Sequence, residues 1–481
     1  MSNSHFVRTQ ILPAQKPPVG QTGVIKWMRE NLFSSWFNTI LTFIGLWAVY
    51  ALISSSAPWF LNGVWTASSV DECRAIIAAS AGEGASGACW AMINERWHQF
   101  MFGFFDREEY WRPLLAFALL FVALSPVLYF NLRRPTMIMT GGAGAVLVVL
   151  LWAVGTDGWH LSLAAAVMAA LAVLAWVAPK QLLWVTLAFP ATAFFLLWGG
   201  SVWAPIGVMA GFGIAVLVWR GLQGLIGVTP AAAVAAFAAC VWWGFLQTYV
   251  TTVLAQALPY FSLPAEDSDR FGGFLLSFVI GVSAISASLP IGILLALGRR
   301  SDMFLIKTLS VGFIEFVRGV PLITMLFTAS LLLQYFLPPQ TNFDLILRVI
   351  ILVSLFASAY IAEVIRGGLA ALPRGQQEAA DSLGLDYWQA QRLIIMPQAL
   401  KVAIPGIVSS FIGLFKDTTL VALVGLADPL QGITKVVKAD IAWKAAYWEP
   451  FIFVGAIFFI FCFSMSRYSM YLEQKLKTDH R

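Results

Sequence analysis

Glu315 and Arg318 stand three residues apart in FIEFVRGVPLITMLF, and Glu363 and Arg366 repeat that spacing in AYIAEVIRGG. Lys416 and Asp417 stand side by side in FKDTTLVALVG. All six lie in or beside apolar runs, where a charge costs at least a few kcal/mol and usually marks function. Residues three apart share a helix face, so Glu315 and Arg318 can neutralise each other. Gly319 and Pro321 follow and would interrupt the helix, freeing carbonyls toward a cavity. Two readings stand for this pair: an ion pair at a kink, or a gate or pathway element. Glu363 and Arg366 can pair or snorkel at the end of a span. Adjacent helical residues point about 100° apart, so Lys416 and Asp417 do not simply pair with each other. Either they meet partners on neighbouring helices, or they hold the carboxylate and ammonium of a zwitterionic solute. Thr418 and Thr419 can bond back to the helix backbone and need no ligand.

These charges are exceptions in an apolar chain. Of 481 residues, 59% are hydrophobic and 11% charged, against about 25% charged in a soluble domain. A mean hydropathy of +0.78 leaves too little polar surface for a soluble fold, so the chain reads as an all-α polytopic membrane protein. The net charge of +5 gives no sign of a nucleic-acid partner; the apolar composition implies membrane lipid, and where Lys and Arg sit along the chain is the informative quantity. The four histidines, at 5, 98, 160 and 480, form no catalytic or metal-binding cluster. No G-x-x-x-x-G-K-[ST] loop is present, so the chain lacks the usual backbone cradle for ATP. No cofactor is expected in it, and its energy must come from a partner or from an ion gradient.

Twelve runs can cross the membrane as helices, from 35–54 through 309–336, 345–365 and 402–426 to 449–468. Arg and Lys set the orientation. With the N-terminus inside, the inner loops hold Arg133, Arg134, Lys180, Arg220, Arg299, Arg300 and Lys307, and both termini are cytoplasmic. Two outer segments are exceptions: the long loop 55–112, and 427–448 with Lys435, Lys438 and Lys444. Cys73 and Cys89 fall in that long loop, where an oxidising compartment would let them form a disulfide. Closing such a loop is worth about 3 kcal/mol in the chain-entropy model.

A polar, turn-rich break at 258–274 divides the chain. The expected organisation is a cytoplasmic tail 1–34, a seven-span extension 35–257, a working domain 272–470, and a tail 471–481. One stretch inside the working domain is unusually polar: LPRGQQEAADSLGLDYWQAQRLIIMPQALK, 372–401. It reads as two short helices at an angle. Glu378 lies in the first turns of one, where the dipole favours an anion. Gly384 stops that helix, Asp386 caps the next, and Pro397 ends it. Trp388, Leu393 and Ile395 are expected to pack back on the protein, and Ala379 and Ala380 to let another body approach closely. An amphipathic interfacial hairpin and a docking knob for a cytoplasmic partner both fit this pattern.

The stretch EAADSLGLDYWQAQRLIIMPQA resembles the EAA loop of ABC-importer permeases, with matches at Glu378, Ala379, Ala380, Gly384, Ile394 and Pro397. The family's usual aromatic in the second helix is displaced or replaced, with Ala390 or Leu393 in its region. FIEFVRGVPLITMLF, AYIAEVIRGGLAALPRGQQEAA and FKDTTLVALVG, in that order, resemble the polar amino-acid branch of these permeases. The extension with its cysteine loop is similar to one permease of the broad-specificity L-amino-acid importer of Gram-negative bacteria.

The resemblance implies a five-helix permease core in the inner membrane, paired with a second homologous permease subunit. It further implies two cytoplasmic ATPase subunits that use ATP and Mg and grip the EAA helices, and a periplasmic amino-acid-binding protein that delivers the cargo. An ion-coupled secondary carrier is the alternative that twelve spans alone would also fit.

Overall fold

The computed structural model describes residues 23–332, 335, 344–437 and 439–477. The tail up to residue 22, the far part of the 309–336 run, Lys438, and residues 478–481 with His480 and Arg481 lie outside the described residues, as does His5.

The order along the chain is α1 (Gly23–Asn31), α2 (Trp36–Leu61), α3 (Val70–Ala81), α4 (Ala91–Phe102), α5 (Trp111–Leu128), α6 (Arg133–Val154), α7 (Gly158–Val177) and α8 (Leu182–Trp198). There follow β1 (Gly200–Ser201), α9 (Trp203–Ile226), α10 (Val228–Val241), α11 (Gln247–Ala257) and β2 (Ser262–Leu263). The remainder is α12 (Gly273–Arg299), α13 (Phe304–Gly319), α14 (Leu322–Phe327), α15 (Leu345–Ala370), α16 (Gly375–Ser382), α17 (Tyr387–Ala390), α18 (Met396–Asp417), α19 (Pro429–Gln431) and α20 (Trp448–Lys477). Among the described residues, 11 helices are long and apolar enough to cross a membrane, or 12 if one bent pair counts as a span.

That bent pair falls in the 309–336 run, at the interruption expected from Gly319 and Pro321. The helix from Phe304 stops at Gly319, and a second starts at Leu322 at an angle of 104° to it. Pro321 sits at the cap between them in extended conformation. Its ring fixes φ and its missing N–H removes a helical bond, so the backbone turns there.

The chain forms two compact units: residues up to Asn94 with Ala442–Glu449, and the remainder. In the first, Cys73 and Cys89 are bonded to each other, with Cα atoms 5.9 Å apart. Both are buried, and the Cys89 N–H donates to Glu449 Oε1 at 2.8 Å. Trp90 stacks between Trp65 and Phe60 beside them. α2 buries none of its residues, as expected of a helix whose solvent is lipid.

In the second unit one continuous core joins the two sequence halves. Leu114, Val122, Leu147, Leu151, Met168 and Leu182 share a buried cluster with Leu276, Ile280, Val349, Val353 and Leu414. β1 and β2 pair antiparallel, Gly200 with Leu263. Arg112, fully buried, donates to the carbonyls of Leu196 (2.6 Å), Pro264 (2.9 Å) and Leu197 (3.4 Å) and lies 3.6 Å from Glu109. It thereby satisfies last-turn carbonyls of α8 that have no helical donor.

Candidate functional site

The polar stretch folds into an elbow. α16 ends where Gly384 takes φ +69, a left-handed conformation that only glycine adopts without steric cost. Gly384 N–H then bonds Asp381 O at 3.0 Å, and Leu385 N–H bonds Ala380 O at 3.2 Å. Asp386 caps α17 by accepting from Gln389 N–H at 2.8 Å, while the Gln389 side chain accepts from Asp386 N–H at 3.2 Å. This reciprocal pair satisfies two helix-end donors at once.

Pro397 does not end that second helix. A single π turn, Gln391–Ile395, follows α17, and Pro397 occupies the first turn of α18, which runs on to Asp417. The helix is continuous through this point, and the wide turn just before Pro397 accommodates its missing N–H.

The two alanines part company. Ala379 is exposed beside Glu378, while Ala380 is fully buried with Ala390, Ile361, Ile365, Leu369, Ala399 and Ala403. Ala380 therefore seats the elbow on α15 and α18 rather than facing outward. A Cβ at Gly368 would lie 2.5 Å from Ala399 O, so these two helices meet almost backbone to backbone. Gln398 Nε2 bonds Gln376 Oε1 at 3.0 Å across the elbow. Ile395 packs inward, but Trp388 (65% exposed) and Leu393 (64%) point away from the protein, with Leu383 (74%). Their apolar spacing suggested packing; the small Ala380 and Ala390 fill that role instead.

The charged pairs near the membrane are also rearranged. Glu315 does not rely on Arg318: Arg299, the last residue of α12, reaches Glu315 at 2.9 Å and Glu363 at 3.3 Å. Arg318 lies 3.7 Å from Glu363 and over the Tyr360 ring at 5.8 Å. Arg366 meets Glu363 at 2.5 Å. One network thus links α12, α13 and α15, and Glu363 is its hub. Arg299, Arg318 and Arg366 face Glu315 and Glu363, an excess of one positive charge. From sequence Arg299 was only a loop charge; no local spacing could have shown its partners, 16 and 64 residues away.

Lys416 and Asp417 belong to a different place. They close α18 at the end opposite the elbow, about 30 Å along a helix counted from Met396. Lys416 is exposed and Asp417 half-buried. They stand where the α-helix passes into a 3-10 stretch, Thr418–Val424, inside the candidate span Tyr387–Val424, and the end of the α-helix favours a cation. Thr418 and Thr419 hydroxyls donate to the carbonyls of Phe415 (2.8 Å) and Lys416 (2.9 Å).

Comparison with known proteins then decides the class. Residues 288–478 match the family of binding-protein-dependent transport system inner membrane components. The chain is 59% identical, over its whole length and that of the relative, to the glutamate/glutamine/aspartate/asparagine transport system permease protein BztC of Rhodobacter capsulatus. It is 35% identical to the inner membrane amino-acid ABC transporter permease protein YhdY of Escherichia coli K12, over 94% of this chain and 93% of that one. It belongs to the ABC amino-acid permeases.

The glutamate/aspartate import permease protein GltK of Escherichia coli O6:H1 is 30% identical and aligns over 42% of this chain but 91% of its own length. This permease is therefore a transport subunit and not an enzyme, and the ion-coupled carrier is set aside. As a family such permeases carry no cofactor and act with ATPase subunits, a binding protein and a second permease in a multi-pass inner-membrane assembly.

Proposed function

We propose that this permease, paired with a second homologous permease subunit, forms the path by which acidic amino acids and their amides enter the cell. The names of its relatives, a glutamate/glutamine/aspartate/asparagine permease and a glutamate/aspartate permease, support that substrate class. The network around Glu363, with its surplus guanidinium, suits passage of a carboxylate. Glu315, Arg318, Glu363 and Arg366 act as the gate on the cytoplasmic side, and Lys416 and Asp417 meet the solute near the other surface.

The observation that carries the reading is the elbow. Glu378, Ala379 and Gly384 are exposed, and the apolar Leu383, Trp388 and Leu393 stand clear beside them. An apolar patch of this kind is the mark of a partner surface. Two cytoplasmic ATPase subunits, using ATP and Mg, grip it, and a periplasmic amino-acid-binding protein loads the opposite face. Ala380 serves the coupling from inside, by seating the elbow, and the exposed Pro397 by fixing the backbone just after the π turn. The segment 272–470 is the permease domain and 35–257 the extension, with loop 55–112 periplasmic and the tails 1–34 and 471–481 cytoplasmic. The Cys73–Cys89 bridge is then a periplasmic one.

The test is reconstitution of the complex in proteoliposomes with labelled L-glutamate. Uptake should require ATP inside and the binding protein outside. Glu378→Ala should leave the permease folded while abolishing ATPase attachment and uptake. Uptake at the wild-type rate by E378A, or without any ATPase subunit, overturns the reading.

A further inference from the structure

The helix before the first span, α1, buries none of its nine residues. Its sequence, GVIKWMREN, nonetheless has two unlike faces. At 100° per residue, Val24, Ile25, Trp27 and Met28 fall on one half of the helix, and Lys26, Arg29 and Glu30 on the other. All four apolar side chains are exposed. Lys26 and Glu30 pair at 3.8 Å, which leaves Arg29 as the surplus charge of the helix.

The place where α1 ends says what lies against its apolar side. After Asn31 the chain turns back beside α2 instead of leading straight into it. The Thr42 hydroxyl donates to Leu32 O at 2.8 Å, and the Phe33 and Phe43 rings lie 6.2 Å apart. Thr42 stands about 9 Å along α2 from Trp36 at 1.5 Å per residue. The 26 residues of α2 make a helix of about 39 Å, against about 30 Å of hydrocarbon. The excess belongs at the start, where Asn38 and Thr39 are polar. From Thr42 to Leu61 the helix has the length of about 20 residues that a span needs. Hydrocarbon therefore begins near Thr42, and the last turn of α1, with Trp27 and Met28 beside it, is tied at that level. An amphipathic helix at the headgroup–acyl boundary buries its apolar face in lipid and keeps its charges among the headgroups.

We propose that α1 is an interfacial anchor whose partner is the phospholipid surface around the first turns of α2. Val24, Ile25, Trp27 and Met28 enter the acyl boundary, and Arg29 meets lipid phosphate. The anchor answers a mechanical need. Because α2 buries none of its residues, protein packing does not fix its depth, and interfacial residues must set it instead. Trp36, exposed at the start of α2, adds a second indole at the headgroup level. The anchor holds whichever side of the membrane carries the N-terminus, so it does not rest on the transport reading.

The experiment uses the assembled transporter in nanodiscs of phosphatidylcholine and phosphatidylglycerol. Cys240→Ser and Cys462→Ser remove the free thiols, and the bridged Cys73 and Cys89 do not label. One nitroxide is then placed by Trp27→Cys or by Lys26→Cys. Power-saturation EPR compares contact with oxygen, which partitions into lipid, and with a nickel chelate, which stays in water. The oxygen-to-nickel ratio should be about tenfold higher at position 27 than at position 26. Equal ratios overturn the proposal. So does a label at 27 shielded from both reagents, which would put protein on this face. If the labelled variants do not assemble, wild-type protein answers: a phospholipid with a diazirine near the top of its acyl chain should label the Val24–Met28 stretch on irradiation, read by peptide mass spectrometry. Absence of label there overturns the anchor.

Discussion

Arg299 and Glu363, the end of one core helix and the flank of another, lie 3.3 Å apart, and three guanidinium groups converge on that single carboxylate. Removing the hub differs from removing a spoke. Glu363→Gln leaves three like charges facing one another, whereas Glu315→Gln leaves Arg299 its other partner. E363Q should cost about 1–3 kcal/mol, between the exposed and buried limits for ion pairs, and E315Q less than 1 kcal/mol. Thermal unfolding in detergent, run beside uptake assays, measures both. Equal losses would show that Glu363 is no hub.

Gly384→Ala puts a Cβ where φ is +69, at a cost of about 1–2 kcal/mol confined to the elbow. The variant should insert normally, yet co-purify with less ATPase. Pull-down stoichiometry, compared with wild type, checks this.

The bridge between Cys73 and Cys89 closes a loop with a sequence separation of 16. Replacing both with serine should destabilise the first unit by about 3 kcal/mol. Limited proteolysis of the 62–90 segment, with and without reductant, reads the effect. Full thiol labelling of the untreated wild-type protein would contradict the bridge.

Arg112 →Lys is not a conservative change. Three carbonyls on two segments use the fork of the guanidinium, and an ammonium cannot reach them together. R112K should lower the melting temperature, and Arg112→Met more so, since it strands all three acceptors and Glu109.

Asp428 gives a pH signature. It is fully buried, and its carboxylate accepts from Gln431 N–H at 2.8 Å and Leu430 N–H at 3.2 Å. Burial pushes its pKa up to about 6, against the pull of those two donors. An acid with a raised folded pKa binds its proton more tightly when folded. Its contribution to stability is therefore greatest at low pH and falls as pH rises from about 4 through about 6, by roughly 3 kcal/mol in all. Asp428→Asn keeps a cap without the charge, so its melting temperature should gain on wild type as pH rises. Asp428→Ala should follow the pH trend of the Asn variant while lying about 1 kcal/mol below it, for the lost cap.

The spans were legible because hydrocarbon forces helices and helices need length; even the break at Pro321 was visible as Gly-Val-Pro. The elbow's stops and caps at Gly384 and Asp386 were legible for the same local reason. What lay beyond reach was anything joining distant segments. Arg299 finds Glu363 across 64 residues, and Arg112 finds Pro264 across 152. Ala380 looked like an open face because a small side chain serves equally for close approach by a stranger or by one's own helix. Pro397 looked like a terminator, and only the preceding π turn shows why the helix runs on through it.

That π turn has a mechanical meaning. From Tyr387 to Asp417 the chain is helical without a break, so the elbow and Lys416 share one helix. The wide turn at Gln391–Ile395 and the prolines at 397 and 405 are where the ladder is interrupted and slack can be taken up. Lys416 and Asp417 stand at the opposite end of that helix from the elbow.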